Sequence, residues 1–165
     1  MSGEIKAGLG TLIGNAGEHY VVAELLKRGI IAALTPRNAP NFDILATNHG
    51  KTVRIRVKTK TEHYDIWQWA VKKDIAIFHE LADQDDFTVL VNLTEDHQKM
   101  NFYVIPTKLI NEWLVRDFEK WLATPGKGGR QHSPSNVKRS LSYKQYKADL
   151  EQYHNNWDVL WQLDS

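Results

Sequence analysis

The sequence predicts an α/β fold, in which a mixed central sheet is flanked by helices within one domain covering residues 1–165. Two patterns predict it. An apolar stripe at helical spacing follows the N-terminus, and alternating and β-branched runs further on are typical of strands. A chain of 165 residues is also long enough to bury one substantial core.

The first half of the chain reads as a helix followed by three strands. Residues 15–28 carry the stripe Val21, Val22, Leu25 and Leu26, and Gly29 stands where a left-handed helix end is expected. Residues 30–34 form a short apolar run that suits a buried strand. After a polar loop with two prolines, residues 41–60 read as a hairpin with its turn at residues 48–50.

The second half adds helices around two more strands. Apolar residues recur at near-helical spacing over residues 71–82, and residues 87–93 are a β-rich run whose hairpin partner is 102–105. Thr107 caps a helix with a wide apolar stripe. A Gly-, Pro- and Ser-containing basic segment, 124–140, is expected to be a flexible loop. A helix over 143–154 precedes an apolar tail, 157–161, that is expected to dock on the core.

Composition excludes several classes of protein. There is no cysteine, so disulfides, thiolate chemistry and Cys-type zinc sites are ruled out. No apolar stretch has the length of a signal peptide or a membrane span, so we expect a cytoplasmic protein that does not contact membranes. The formal net charge is only +1, but basic residues dominate 1–60 and acidic residues dominate 61–100. The molecule is therefore expected to have a basic and an acidic side.

The strand after the hairpin turn carries the most informative pattern. Side chains alternate between the two faces of a strand. One face therefore presents four cations, Arg54, Arg56, Lys58 and Lys60, while Val53, Ile55, Val57 and Thr59 face the core. Adjacent cations are stable only when they are solvated, paired with carboxylates, or opposed by a polyanion such as a phosphodiester backbone.

Three short motifs, taken in order, resemble the PD-(D/E)XK nuclease superfamily. They are Gly17-Glu18 on the first helix, Asp43 on the second strand and Val57-Lys58 on the third. The superfamily includes many restriction endonucleases and archaeal Holliday-junction resolvases. The resemblance covers residues 14–93 and implies a restriction endonuclease-like αβββαβ core. Residues 94–123 then add a strand and a helix, and residues 141–165 form a C-terminal helical extension.

The resemblance also implies a catalytic site. Asp43, Glu18 and the Val57 carbonyl would hold Mg²⁺ or Mn²⁺, and Lys58 would lie beside the attacking water. Hard divalent cations prefer such oxygen donors, and they polarise the phosphoryl group and activate water. Arg56 stands where the superfamily has an acid, and Phe42 replaces the usual proline before Asp43. Glu62, just past the strand, is a candidate substitute acid.

The resemblance further implies contacts with DNA, while RNA and a homodimer remain open. The basic residues expected to contact the nucleic-acid backbone are Arg54, Lys60, Lys127, Arg130, Lys138 and Arg139.

Three functions remain open from the sequence. The first is a metal-dependent DNA endonuclease. The second is a nuclease-fold domain that binds nucleic acid or a partner protein without cleavage and needs no cofactor, with Arg56 bridging Asp43 and Glu18 in place of the metal. The third is a protein-interaction domain whose strand cations are merely solvated. Trp67 and Trp69 are expected to pack in the core, although stacking on bases is the alternative.

Overall fold

A computed structural model describes residues 9–36, 41–71, 76–81, 84–96 and 99–162. Three helices are found there: α1 (Gly10–Lys27), α2 (Thr107–Ala123) and α3 (Tyr143–Glu151). The strands are β1 (Ile31–Leu34), β2 (Ile44–Asn48), β3 (Lys51–Thr61), β4 (Ile66–Ala70), β5 (Asp86–Leu93), β6 (Asn101–Pro106) and β7 (Lys138–Ser142). Two 3-10 turns cover Lys127–Gly129 and Trp157–Trp161.

The central sheet has five strands in the order β1-β2-β3-β5-β6, and β4 pairs with β7 in a separate two-stranded sheet. Only β3 and β5 run parallel, with Arg54 level with Asp86 and Lys58 level with Leu90, whereas the other pairs are antiparallel. The predicted α/β fold with a mixed central sheet is therefore confirmed.

Alternating side chains divide the core between the two faces of this sheet. Val89, Val91 and Val104 pack with α1 on one face, and the C-terminal turn Trp157–Trp161 closes the same cluster. Leu90 and Ile105 pack on the other face with α2, α3, β4 and β7. The predicted docking of the C-terminal tail is thus confirmed by the burial of Trp157 and Leu160.

Several element predictions need correction. The helix expected over 71–82 is not found in its described part, because residues 77–80 form bends. Strands β4 and β7 were not predicted, and Lys138 already belongs to β7 rather than to the basic loop. Strand β1 lies at the sheet edge with Ile31 71% exposed, so its expected burial was wrong.

The end of α1 agrees with expectation, since Gly29 has a φ of +74° directly after the helix. None of the helices in the described ranges is long and apolar enough to span a bilayer.

Candidate active site at the β2–β3 hairpin

Asp43 lies directly before β2, opposite the middle of β3. Its own N–H donates to the Ile55 carbonyl at 2.9 Å, and its carboxylate Oδ2 accepts the Val57 N–H at 2.7 Å. Burial raises the pKa of Asp43, while the Val57 hydrogen bond and the charges of Arg56 and Lys58 act in the opposite direction. The carboxylate is therefore held on the β3 backbone beside two cations.

Lys58 is, after Arg56, the second cation whose charge lowers the pKa of Asp43. Burial lowers the pKa of the Lys58 ammonium, and the Asp43 charge partly restores it. The ammonium lies 5.7 Å from the centre of the Trp69 ring, within range of a cation–π interaction. The two motif residues Asp43 and Lys58 therefore interact in a partly desolvated environment.

Arg56 is turned toward β5. Its Nε and Nη2 donate to the two carboxylate oxygens of Asp86 at 2.8 and 2.9 Å, and Nη2 also donates to the His79 carbonyl at 3.1 Å. The guanidinium lies 5.3 Å from the Phe78 ring centre. This bidentate pair is buried, since the Asp86 side chain has no exposed surface. The expected bridge from Arg56 to Asp43 and Glu18 is not what these hydrogen bonds show.

Arg54 joins the same cluster. Its Nη2 lies 3.8 Å from Asp86 Oδ2 and donates to the Glu80 carbonyl at 3.2 Å. Glu80 in turn accepts a hydrogen bond from the Asn41 side chain at 2.7 Å. Because Arg54 and Arg56 bond adjacent carbonyls, residues 79–80 are held over the basic face of β3, close to Asp43.

Lys60 is buried, with only 6% of its surface exposed. Its ammonium donates to Asn92 Oδ1 at 3.0 Å and lies 4.7 Å from the centre of the Trp67 ring. Burial lowers its pKa to about 8, against the attraction of Asp65 and Glu62. Because Asn92 and the Trp67 ring hold the ammonium, a contact of Lys60 with the nucleic-acid backbone stays a prediction.

Glu18 follows a glycine of α1 that packs directly on β3. The preceding Gly17 packs so tightly on β3 that an added Cβ would lie 1.9 Å from Thr59 Oγ1. Thr59 follows Lys58 on the strand, so this turn of α1 contacts the part of β3 that carries the motif lysine. The contact explains why glycine precedes the glutamate: any side chain would push α1 away from the sheet.

Among the described residues, one group of three side chains has metal-ligand geometry: Glu62, His63 and Glu95. All three are exposed, and the cluster lies where β3 and β5 end. It includes the substitute acid Glu62, but neither Asp43 nor Glu18. An acidic cluster is therefore present, apart from the predicted metal ligands.

The basic segment is more ordered than predicted. His132 stacks on Trp121 with ring centres 3.9 Å apart, and Arg139 lies over Phe118. Arg139 is only 4% exposed, whereas Lys127, Arg130 and Lys138 are exposed. The segment thus contacts α2 in its middle, through His132, and near its end, through Arg139.

Sequence reasoning missed Asp86 and the aromatic cover of the basic strand face. Trp67 is 1% exposed and donates its indole N–H to the Val91 carbonyl, as expected for core packing. The sequence signal for Asp86 is its place directly before the β-rich run 87–93. The cations are covered by aromatic rings and hydrogen bonds, so this face is not simply solvated.

Comparison with known proteins bears on the fold. No family model matches the chain, and no curated protein matches it. Among solved structures, it resembles the Holliday junction resolvase Hjc of Archaeoglobus fulgidus, with a TM-score of 0.51 and 13% identity over 92% of this chain and 98% of that one. A bacterial homing endonuclease aligns with a TM-score of 0.41 and 17% identity over 87% of this chain and 92% of that one. The resolvase likeness confirms the predicted restriction endonuclease-like fold.

Proposed function

We propose that this chain acts on DNA as a nuclease-like protein, and that its reaction is divalent-metal-dependent phosphodiester hydrolysis. The observation that carries the proposal is the Asp43 carboxylate held at 2.7 Å by the N–H of Val57, the residue directly before Lys58, while Arg56 is bound to Asp86. The likeness to a Holliday junction resolvase supports DNA, since a Holliday junction is a DNA structure. Neither structural neighbour supports RNA, and a homodimer remains a prediction.

The candidate ligands of Mg²⁺ or Mn²⁺ are all oxygen atoms. Asp43 and Glu18 supply carboxylates and Val57 a backbone carbonyl, which are the oxygen ligands that hard cations prefer. Asp86 pairs with the Arg56 guanidinium, so the repulsion between that charge and a metal cation at Asp43 is reduced. A bound ion would polarise the phosphoryl group and lower the pKa of a coordinated water.

The chain's own residues have separable roles in this proposal. Lys58 stabilises negative charge developing on the phosphoryl oxygens, and its partial desolvation strengthens that interaction. Asp43 is oriented by the Val57 N–H, which fixes the direction in which its carboxylate presents oxygen. Residues 79–80, held by Arg54 and Arg56, limit the space over the basic strand face.

A second candidate is DNA binding without cleavage. Arg56 occupies the position at which the resemblance implies an acid, and its charge faces Asp43 across the hairpin. Asp43 is also outside the one described group of three metal-type side chains. A domain of this kind would retain the fold and bind DNA without needing a metal.

Cleavage of a DNA panel tests the two candidates. Duplex, single-stranded and branched substrates are incubated with Mg²⁺ or Mn²⁺ and with the natural chain, Asp43→Asn, Lys58→Met or the exposed-acid control Glu112→Gln. We expect Asp43→Asn and Lys58→Met each to lose at least about a hundredfold in rate, because each removes a group acting on the reacting phosphate. Glu112→Gln should cleave like the natural chain.

The outcomes separate the candidates. DNA binding by an inert natural chain supports the second candidate, and a gain of metal binding in Arg56→Glu would show that the arginine silences the site. Equal cleavage by the natural chain and Asp43→Asn would contradict the proposed site. Absence of both binding and cleavage would contradict a DNA-acting function.

A further inference from the structure

A cavity of about 550 Å³ lies between α2 and the small β4–β7 sheet. Alternation along β4 and β7 turns Trp67 and Leu141 toward the core, so their neighbours Gln68 and Ser140 face outward into this cavity. Helix α2 forms the opposite wall. The side chains that define the two walls are Ile66, Gln68, Ser140 and Ser142 from the sheet side and Leu114 and Phe118 from the helix.

Arg139 is a buried cation in the lining of this cavity. Its Nη1 donates to the carbonyls of Asn136 and Lys138 at 2.7 and 3.0 Å, and its guanidinium carbon lies 3.3 Å from the Phe118 ring centre. No ion pair within the described ranges includes Arg139. A buried charge is costly without an opposing one, so an anion in the cavity would supply the missing partner.

The rest of the lining also favours an anion. Lys120 and Lys138 are exposed at the cavity, and neither is part of an ion pair in the described part of the chain. Asp117, the acid in the lining, already accepts hydrogen bonds from Gln145 at both carboxylate oxygens, at 3.2 and 3.1 Å. The cavity therefore presents three cations against one acid that is already hydrogen-bonded.

We propose that this cavity binds an unpaired segment of a DNA strand, with Arg139 on a phosphate and Lys120 and Lys138 on its neighbours. The inference rests on the proposed DNA-acting function and adds a second contact site to it. The volume is in the range of small-molecule sites, and amide, hydroxyl and apolar side chains around a cation suit a nucleotide. A base can enter such a cavity only after it leaves the duplex stack.

The bases meet apolar side chains and amides in this site and do not stack on Trp121. That indole is already stacked with His132 at 3.9 Å and with Phe118 at 5.5 Å between ring centres. The same stack holds the basic segment against α2, so the cavity is formed before the strand arrives. Preformed walls reduce the ordering cost of binding.

Binding of labelled oligothymidylate of about ten nucleotides, a length within the range of single-strand sites, tests the proposal by fluorescence anisotropy. The variant Lys120→Gln/Lys138→Gln is compared with Lys108→Gln/Lys147→Gln, which removes the same charge from two exposed lysines outside the cavity. We expect the cavity variant to lose about tenfold in single-strand affinity and the control less than about threefold. The reason is that each lysine–phosphate contact contributes to the salt-dependent part of the binding free energy. Ultraviolet cross-linking of oligomers containing 5-iododeoxyuridine should label peptides from α2 or β7.

Four outcomes would contradict the proposed strand-binding site. Equal losses in both double variants, or cross-links confined to the β2–β3 hairpin, overturn the cavity site while the proposed function stands. Equal effects on single strands and on a closed duplex overturn the preference for an unpaired strand. Displacement of the oligomer by polyglutamate as readily as by unlabelled DNA points to an acidic protein partner and overturns a DNA site. If the natural chain binds no DNA of any form, the inference and the proposed function both fail.

Discussion

Position 56 shows how the surroundings decide the role of a side chain. The resemblance implies an acid there, and an arginine beside a bound dication would repel it by several kcal/mol. In the structure the guanidinium lies in a two-point contact with Asp86 on the parallel strand. Asp86, 30 positions away in the chain, thereby neutralises the Arg56 charge. The ion pair also joins β3 to β5.

We expect Asp86→Asn to destabilise the fold by about 3–5 kcal/mol, because it removes the buried carboxylate that pairs with Arg56 and lies 3.8 Å from Arg54. Arg56→Gln should cost less, since Arg54 remains 3.8 Å from Asp86. Urea unfolding measures both, and the exposed-pair control Lys27→Gln should change stability by about 1 kcal/mol or less. If the double variant Arg56→Gln/Asp86→Asn loses the full sum of the single losses, the two side chains are not coupled.

Lys60 gives the fold a pH dependence whose sign follows from its lowered pKa. The pKa is about 8 in the folded chain and about 10.4 in an unfolded one. Between these values the unfolded state binds more protons, so the Lys60 contribution to the free energy of unfolding rises with pH. Below about pH 8 both states carry the proton, and the full cost of burying the charge is present.

Lys60→Met should therefore be more stable than the natural chain at pH 7.5, by on the order of 2 kcal/mol, since one pKa unit corresponds to about 1.4 kcal/mol. The difference should shrink as pH rises toward 10. Urea unfolding at several pH values checks this, and Lys27→Met serves as an exposed-lysine control. A stability difference between Lys60→Met and the natural chain that stays constant from pH 7.5 to 10 would contradict the assigned pKa.

At the scale of elements, the packing of α1 on β3 depends on one glycine. Thr59 lies against Gly17, and its hydroxyl is buried without a hydrogen-bond partner among the described atoms. The contact places this turn of α1 directly against the strand that carries Lys58, on the face to which Thr59 points. The spacing of Gly17-Glu18 and Val57-Lys58 in the sequence motifs thus has a packing reason as well as a chemical one.

Gly17→Ala should destabilise the protein by about 1–3 kcal/mol, because the new methyl group overpacks the helix–strand contact. Gly14→Ala is the matched control: it lies in the same helix, has no neighbour within 4 Å of the added atom, and should gain up to about 1 kcal/mol from helix propensity. Thermal or urea unfolding compares the two. Similar stability of both variants would mean that α1 packs less closely on β3.

Element prediction succeeded where local patterns and tertiary packing agreed. Helices α2 and α3 and strands β2 and β3 carry a periodicity that matches their buried face, whereas β5 and β6 are apolar runs buried on both faces. In α1, Val21 and Leu25 of the predicted stripe are buried and Leu26 is exposed. The 71–82 helix was wrong in its described part because Phe78 packs on Trp69 and the carbonyls of residues 79 and 80 bond Arg56 and Arg54. These long-range contacts replace the local hydrogen bonds that a helix requires.

At the scale of the whole molecule, the β4–β7 sheet changes the character of one face of the protein. It covers the basic side of β3 with Trp67 and Trp69 and leaves the Asp43 end of the hairpin beside residues 79–80. Gln68 and Ser140, on its other face, line the cavity with α2.

The sequence by itself determined the α/β class and the hairpin with its alternating cations, because periodicity is a local property. The trio Glu18, Asp43 and Lys58 stays a prediction that rests on the resemblance. Only the tertiary structure decided which charges meet. The parallel pairing of β3 with β5 places Asp86 against Arg54 and Arg56, and β4 encloses Lys60. Such pairings depend on strand order and on residues far apart in the chain, and no local pattern encodes them.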